Sequence, residues 1–201
     1  MLSAVIAGAF HDLPPSRWLI GDQAARRDLF PAYFRILAGH ALTRGQAWTT
    51  AGRTAAALWL PAGDQPPPAP DGYAGRLRAV TAPWTRRFIE LDAALGRRHP
   101  AGTPHHHLAV LAVRPGRQGQ GTGTALLRAH HQVLDQAGLP AYLEASSPRS
   151  RRLYLRHGYD DMWPRIDLPQ GPPMYPMWRE PQPVPPLLPG IPGSTESEAG
   201  Q

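Results

Sequence analysis

The sequence contains no cysteine. Disulfides, thiolate metal ligands and a covalent cysteinyl-acyl intermediate are therefore excluded, while the cellular compartment stays open on this ground. No apolar run comes near the roughly 20 residues that a membrane-spanning helix needs. The opening MLSAVIAGAF is apolar but lacks a basic leading region and a clear cleavage site, so a signal peptide is not expected and a cytoplasmic location is. There is no internal repeat, no run of basic residues and no recognisable nucleic-acid-binding motif. The formal charge of +6 comes mostly from arginines spread along the chain. That balance suits an anionic cofactor better than nucleic acid, and no membrane partner is expected. The 201 residues predict one domain with a real core, 1–180. Residues 181–201 are proline, serine and glutamate without periodicity and read as a disordered tail.

The most informative stretch is Val110 to Leu127, VLAVRPGRQGQGTGTALL. Leu108 to Val113 is an almost unbroken apolar run, as expected of a strand covered on both faces. Pro115 ends it, since proline cannot donate to the sheet ladder. Gly119, Gly121 and Gly123 follow at every second position, and from Thr122 the spacing turns helical, with Leu126, Ala129, Val133 and Ala137 on one face and Gly138 as the stop. Bare amides at a helix N-terminus form an anion site suited to a phosphate or pyrophosphate. The dinucleotide fingerprint does not fit, because Thr124 or Leu126 stands where its third glycine belongs. A P-loop does not fit either, for want of a lysine in the turn. The alternative is a tight strand–helix turn that binds nothing.

Around this centre the patterns predict a helix from Leu2 to Phe10 closed by Pro14 and Pro15, and a second over Ala24 to Ala41. A hairpin follows over Gln46 to Thr50 and Ala55 to Leu60, then a proline-rich loop from Pro61 to Gly72. Helices are expected from Tyr73 to Ala82 and from Pro83 to about Arg97. Later come a strand over Ala141 to Ala145 and a short helix with Ser147 as N-cap, Pro148 at N1 and Gly158 at C′. Strands over Tyr159 to Leu168 and Met174 to Arg179 complete the chain as a hairpin. Together these give a mixed α/β class.

Val113-x-Pro115 followed by Gln118-x-x-Gly121-x-Gly123 resembles the acetyl-CoA-binding motif of the GNAT acetyltransferases. PAYLEASSPRSRRLYLRHGY, the strand pair ending in MYPMWRE, and the spacing of AFHDLP, AALWLP and PHHHLAVLAV are similar to the puromycin N-acetyltransferase branch and its actinobacterial relatives. The resemblance implies the GNAT acyl-CoA N-acyltransferase fold, a mixed central sheet flanked by helices that splays beside the glycine turn to admit the pantetheine arm. It also implies acetyl-CoA as cosubstrate and a small-molecule amine, of antibiotic or natural-product type, as acceptor. A protein lysine or N-terminal acetyltransferase and a non-catalytic CoA-binding module are the alternatives. One departure is plain: the family normally begins with a strand, and here the first pattern is a helix. Either the start lies upstream or another segment covers that sheet edge.

Direct attack of a neutral amine on a thioester needs no covalent intermediate, in accord with the missing cysteine. The backbone of Leu111, Ala112 and Val113 is expected to pair with pantetheine, with Val113 N–H a candidate to polarise the thioester carbonyl. Gln118, Gly119, Gln120, Gly121, Thr122, Gly123 and Thr124 are expected to hold the pyrophosphate, helped by the helix dipole and Arg117. Arg149 and Arg151 could also reach CoA phosphates. The resemblance places Ser150 where relatives often carry a cofactor-contacting asparagine, and Tyr154 at the position of the acid that protonates the thiolate; a core tyrosine is the alternative. Glu144, a carboxylate within the apolar YLEAS, is the candidate base, with a pKa raised by burial. Pairing with Arg149 or another arginine is its alternative role. Phe10, His11, Trp18, Tyr33 and Trp59 are candidates for the acceptor surface. His105, His106 and His107 cannot all face one metal, because strand alternation turns His106 away, so no metal site is expected.

Overall fold

The computed structural model describes residues 2–183; the expected tail lies outside the described residues from 184 onward. The chain opens with helix α1 (Leu2–Phe10), which buries Ile6 and Ala7. Pro14 and Pro15 do more than end it. They start a second short helix, α2 (Pro14–Leu19), because proline at N1 lacks only an N–H that would have no intrahelical partner anyway. Helix α3 (Gln23–Arg44) is capped by Asp22, whose carboxylate accepts from Ala25 N–H at 2.7 Å. The buried Arg26 guanidinium donates to the carbonyls of His11, Ile20 and Gly21, which fixes α1 and α2 against α3.

Strands β1 (Gln46–Thr49) and β2 (Ala55–Ala62) form the expected hairpin. Helices α4 (Tyr73–Thr81) and α5 (Thr85–Gly96) lead to β3 (His105–Val113). Then come α6 (Thr122–Ala137), β4 (Ala141–Ala145) and α7 (Pro148–Leu155). The Ser147 cap is a full capping box with Ser150. At the other end, Tyr159 N–H reaches the Tyr154 carbonyl and Gly158 N–H the Leu155 carbonyl, with Gly158 at φ +80°. This is the Schellman pattern, and it places Gly158 at C′.

The expected Tyr159–Leu168 strand is broken. It survives as β5 (Asp160–Asp161) and β6 (Ile166–Asp167), both paired with β7 (Pro173–Arg179). Pro164, between them, has no N–H for the ladder.

The sheet runs β1-β2-β3-β4-β7-β5, antiparallel throughout except for β3 against β4. Among the described residues β1 pairs only with β2, so this four-residue strand forms the sheet edge, and its shortness limits the edge's capacity to recruit another chain. One face of the sheet packs against α1 and α3–α5. Phe10, Phe30, Tyr33, Phe34 and Phe88 meet there edge to face or tilted, with neighbouring centroids 4.8 to 6.5 Å apart. The other face carries α6 and α7 over Trp59, Leu108, Leu143 and Met177.

Two irregularities of β3 shape everything that follows. Leu58 pairs with Val110 but Trp59 pairs with Leu108, which leaves Ala109 as the extra residue of a β-bulge. Before the bulge His107 and Leu108 point to opposite faces; after it Val110 and Ala112 join the α3 face, and Leu111 and Val113 the α6 face. Second, β3 and β4 pair only at His106–Ala141 and His107–Tyr142. Beyond that point they diverge, and the backbone of β3 on that side has no strand partner.

Candidate active site

The gap between β3 and β4 opens toward the glycine turn. Gly116, Gly119 and Gly121 all take positive φ, at +81°, +79° and +79°, a region only glycine enters without strain. Gly121 caps α6 in the left-handed conformation with no side chain over the first turn, so the amides at Thr122 to Thr124 face outward. Gly123 sits against β3, where a β-carbon would stand 3.5 Å from Val113 Cγ2. Arg117, Gln118, Gly119, Gln120 and Gly121 are exposed and Thr122–Thr124 half-buried. The Gln118 side chain folds back, donating to the Val113 carbonyl at 3.4 Å. The Thr124 hydroxyl lies 3.1 Å from His157 Nε2.

A cavity of about 770 Å³ runs from this gap into the helical layer. At the gap it is lined by Leu111, Val113, Gln118, Ser150 and Tyr154, and at the far end by Phe10, Tyr33, Phe34, Leu60 and Tyr73. Residues from both sheet faces line one space because the strands part there. Pro66–Pro70 also contribute to its wall.

Glu144 and His107 lie on the cavity wall, one from each side of the parting strands. His107 Nε2 is 2.9 Å from Glu144 Oε2. Both side chains are largely buried, and Glu144 Oε1 has no hydrogen-bond partner. The sequence suggested a carboxyl raised by burial. Burial does push it up, but the charge of His107, its hydrogen bond, and then His99 and Tyr142 outweigh that, so the carboxyl lies below its ordinary value. Its partner is thus a histidine and not Arg149, which is exposed.

His99, in the loop before β3, joins this group. Its Nε2 lies 3.2 Å from His105 Nε2, and its ring meets His107 edge to face at 4.9 Å. Burial and the neighbouring His107 push its pKa down to about 4, so it is neutral at physiological pH. Nothing in the sequence signalled His99, because its proximity depends on the turn that follows α5. As alternation requires, His106 faces away, 3.0 Å from His130 of α6. A metal was not expected, yet the ligand atoms of His99, His107 and Glu144 lie within 4.8 Å of one another, a set able to close on a cation.

Tyr154 projects from α7 into the cavity, with Tyr159 edge-on at 5.7 Å. Its hydroxyl makes no hydrogen bond among the described residues, and burial holds it protonated. Ser150 lines the gap, but its hydroxyl is engaged by Ser147 in the capping box. Arg151 is committed to Asp161 through two hydrogen bonds and lies over the Tyr175 ring, so it does not point to a CoA phosphate.

Of the five acceptor-surface candidates, Phe10 and Tyr33 line the cavity. Trp59 does not: it is wholly buried on the opposite sheet face, stacked on His130 at 4.1 Å. The reason is register, since a strand residue one position from Leu58 must face the other way. Trp18 donates its indole N–H to the Pro169 carbonyl and packs in the core beside Gly171. His11 lies outside the lining and contributes its carbonyl to Arg26. The sequence reading missed Asp92, a carboxylate of α5 on the cavity wall that accepts from the Tyr73 hydroxyl at 2.9 Å.

Residues 88–161 match the family model described as the acetyltransferase (GNAT) domain. The match runs from α5 through β3, the glycine turn, α6, β4 and α7 to β5. Among solved structures, the chain is similar to a histone acetyltransferase-related acetyltransferase from Corynebacterium glutamicum, at 24% identity over 92% of each chain with a TM-score of 0.65. It is also similar to arylalkylamine N-acetyltransferase 2 from Aedes aegypti, at 10% identity over 90% of this chain and 94% of that one, TM-score 0.57. The C-terminal condensation domain of Ebony aligns at 13% identity over 89% and 92%, TM-score 0.56. The parted sheet, the bare helix N-terminus and the buried dyad thus sit on the GNAT acyltransferase fold, and residues 88–161 match that family's own model.

Proposed function

We propose that the protein is an acetyl-CoA-dependent N-acetyltransferase whose acceptor is a small-molecule amine. The observation that carries this reading is the continuity of one cavity from the glycine turn, past Glu144–His107, into an apolar chamber. The outward amides of Thr122–Thr124, with the exposed turn Gln118–Gly121 beside them, would receive the pyrophosphate at the positive end of α6. The pantetheine would lie along the unpartnered side of β3. Val113 is then too near the pyrophosphate to polarise the thioester; four residues of strand, about 13 Å, separate it from the Ala109 bulge. The backbone at the bulge, beside His107, is the better candidate for that donor.

In the reaction the acceptor ammonium first loses a proton to the Glu144–His107 pair, acting as a unit. The free amine attacks the thioester carbonyl, the C–N bond forms, and collapse breaks the C–S bond. The departing thiolate takes a hydrogen bond and then a proton from the Tyr154 hydroxyl, and the proton that the nitrogen sheds on becoming an amide passes through solvent to restore Tyr154. Tyr154→Phe should lower kcat about 10- to 100-fold and leave the acetyl-CoA Kd unchanged. Unaltered turnover would remove Tyr154 from the chemistry.

A chamber lined by aromatics and by Pro66–Pro70 suits a small-molecule amine, whereas a polypeptide needs an open groove. Puromycin and other amine antibiotics belong in the first acceptor screen on that basis. The chain's 21 basic residues are all arginine. Any acetyl-lysine formed in an assay with added protein must therefore lie on that protein, which makes the peptide alternative easy to read. Calorimetric titration of acetyl-CoA tests the reading as a whole. Saturable binding lost in Gly121→Val supports it; a folded protein that binds neither acetyl-CoA nor CoA refutes it.

A further inference from the structure

Two carboxylates line the cavity, Glu144 from strand β4 and Asp92 from helix α5. Glu144 has a base beside it. Asp92 has none: its one hydrogen bond is from the Tyr73 hydroxyl, and no arginine or histidine among the described residues lies within ion-pair distance. Elsewhere partly buried aspartates are matched, Asp135 by Arg179 and Asp161 by Arg151. Tyr33, Tyr73, Leu77 and Leu95 share its lining, and the basic members of that lining, Arg78, His40, His99 and His107, make no ion pair with it. A carboxylate desolvated in such a place is costly unless a cation meets it. Burial raises it to about 6, so near neutral pH it is largely ionised yet uncompensated. The aromatic rings beside it also favour a cation over a neutral group.

Building on the acetyltransferase reading, we propose that Asp92 receives a second basic group of the acceptor, so that the substrate is an elongated amine with two cationic ends. One end is acetylated at Glu144–His107 and the other is held at Asp92, with the apolar chamber around the linking segment. A purely structural role, in which Asp92 only ties α5 to Tyr73 of α4, predicts no preference between one and two charges.

The test compares n-alkylamines with α,ω-diamines of matching length as acceptors, across a series of chain lengths. One diamine length should show a KM on the order of 10- to 100-fold below that of its monoamine. Asp92→Asn, which keeps an oxygen for the Tyr73 hydroxyl, should bring that ratio close to one. A ratio near one in the unmutated protein, or a diamine preference that survives Asp92→Asn, overturns the proposal. If no amine is acetylated, the acetyltransferase reading fails, and calorimetric binding of the same diamines to both proteins still decides the role of Asp92. Tighter diamine binding abolished by Asp92→Asn upholds it, and equal binding sinks it.

Discussion

Replacing Glu144 by glutamine is expected to lower kcat about 100- to 1,000-fold, and replacing His107 by glutamine to do much the same. The decisive result is the double variant. His107 Nε2 and Glu144 Oε2 are 2.9 Å apart in a largely buried setting, so each depends on the other for its hydrogen bond. Groups that act as a unit are strongly non-additive: losing either disables both. The double variant should therefore be about as slow as the worse single one. If the two losses multiply, Glu144 and His107 serve separate steps. Glutamine retains a hydrogen-bonding oxygen at position 144, so thermal melts of the single variants should stay close to that of the parent.

Gly45→Ala should produce the largest loss of stability. Gly45 joins α3 to β1, and a β-carbon there would stand 2.0 Å from the Trp59 carbonyl oxygen. That oxygen belongs to β2 at its pairing with Gln46, so it cannot retreat without disturbing the hairpin. A backbone clash of this kind costs about 3 kcal/mol or more, which for a chain of this size lowers Tm by roughly 6–12 °C. Gly39→Ala is the control: it lies within α3 with open space around it, and gains about 0.5–1 kcal/mol of helix propensity. Equal melting temperatures for the two variants would contradict the packing described.

The parts of the fold that the sequence announced are those with local causes. Pro115, the alternating glycines and the change of period at Thr122 mark the end of β3, the turn and α6 where they are found, although α6 buries Leu126, Leu127, His130, His131 and Leu134 and leaves Val133 and Ala137 of the expected face exposed. Ser147-Pro148 and Gly158 mark both ends of α7 for the same reason, since caps are decided within a few residues. What stayed hidden depends on register or on distant packing. The Ala109 bulge carries no glycine or proline to betray it, yet it decides which side chains of β3 see the cavity. Trp59 went to the opposite face for want of a known register. Glu144 was visible as a misplaced carboxylate, but the sign of its shift was not, because His107 and His99 arrive from other elements. Asp92 reads in sequence as one more charge on an amphipathic helix.

The two-rung contact between β3 and β4 also has a mechanical meaning. The sheet is two plates, β1–β3 and β4–β7 with β5, riveted at His106–Ala141 and His107–Tyr142 and gaping from there to the glycine turn. A molecule lying in that gap and bonded to both rims would act as a splice across an unfinished seam. Loading the protein would then stiffen the sheet itself, with the rivet, which includes His107, as its one fixed point.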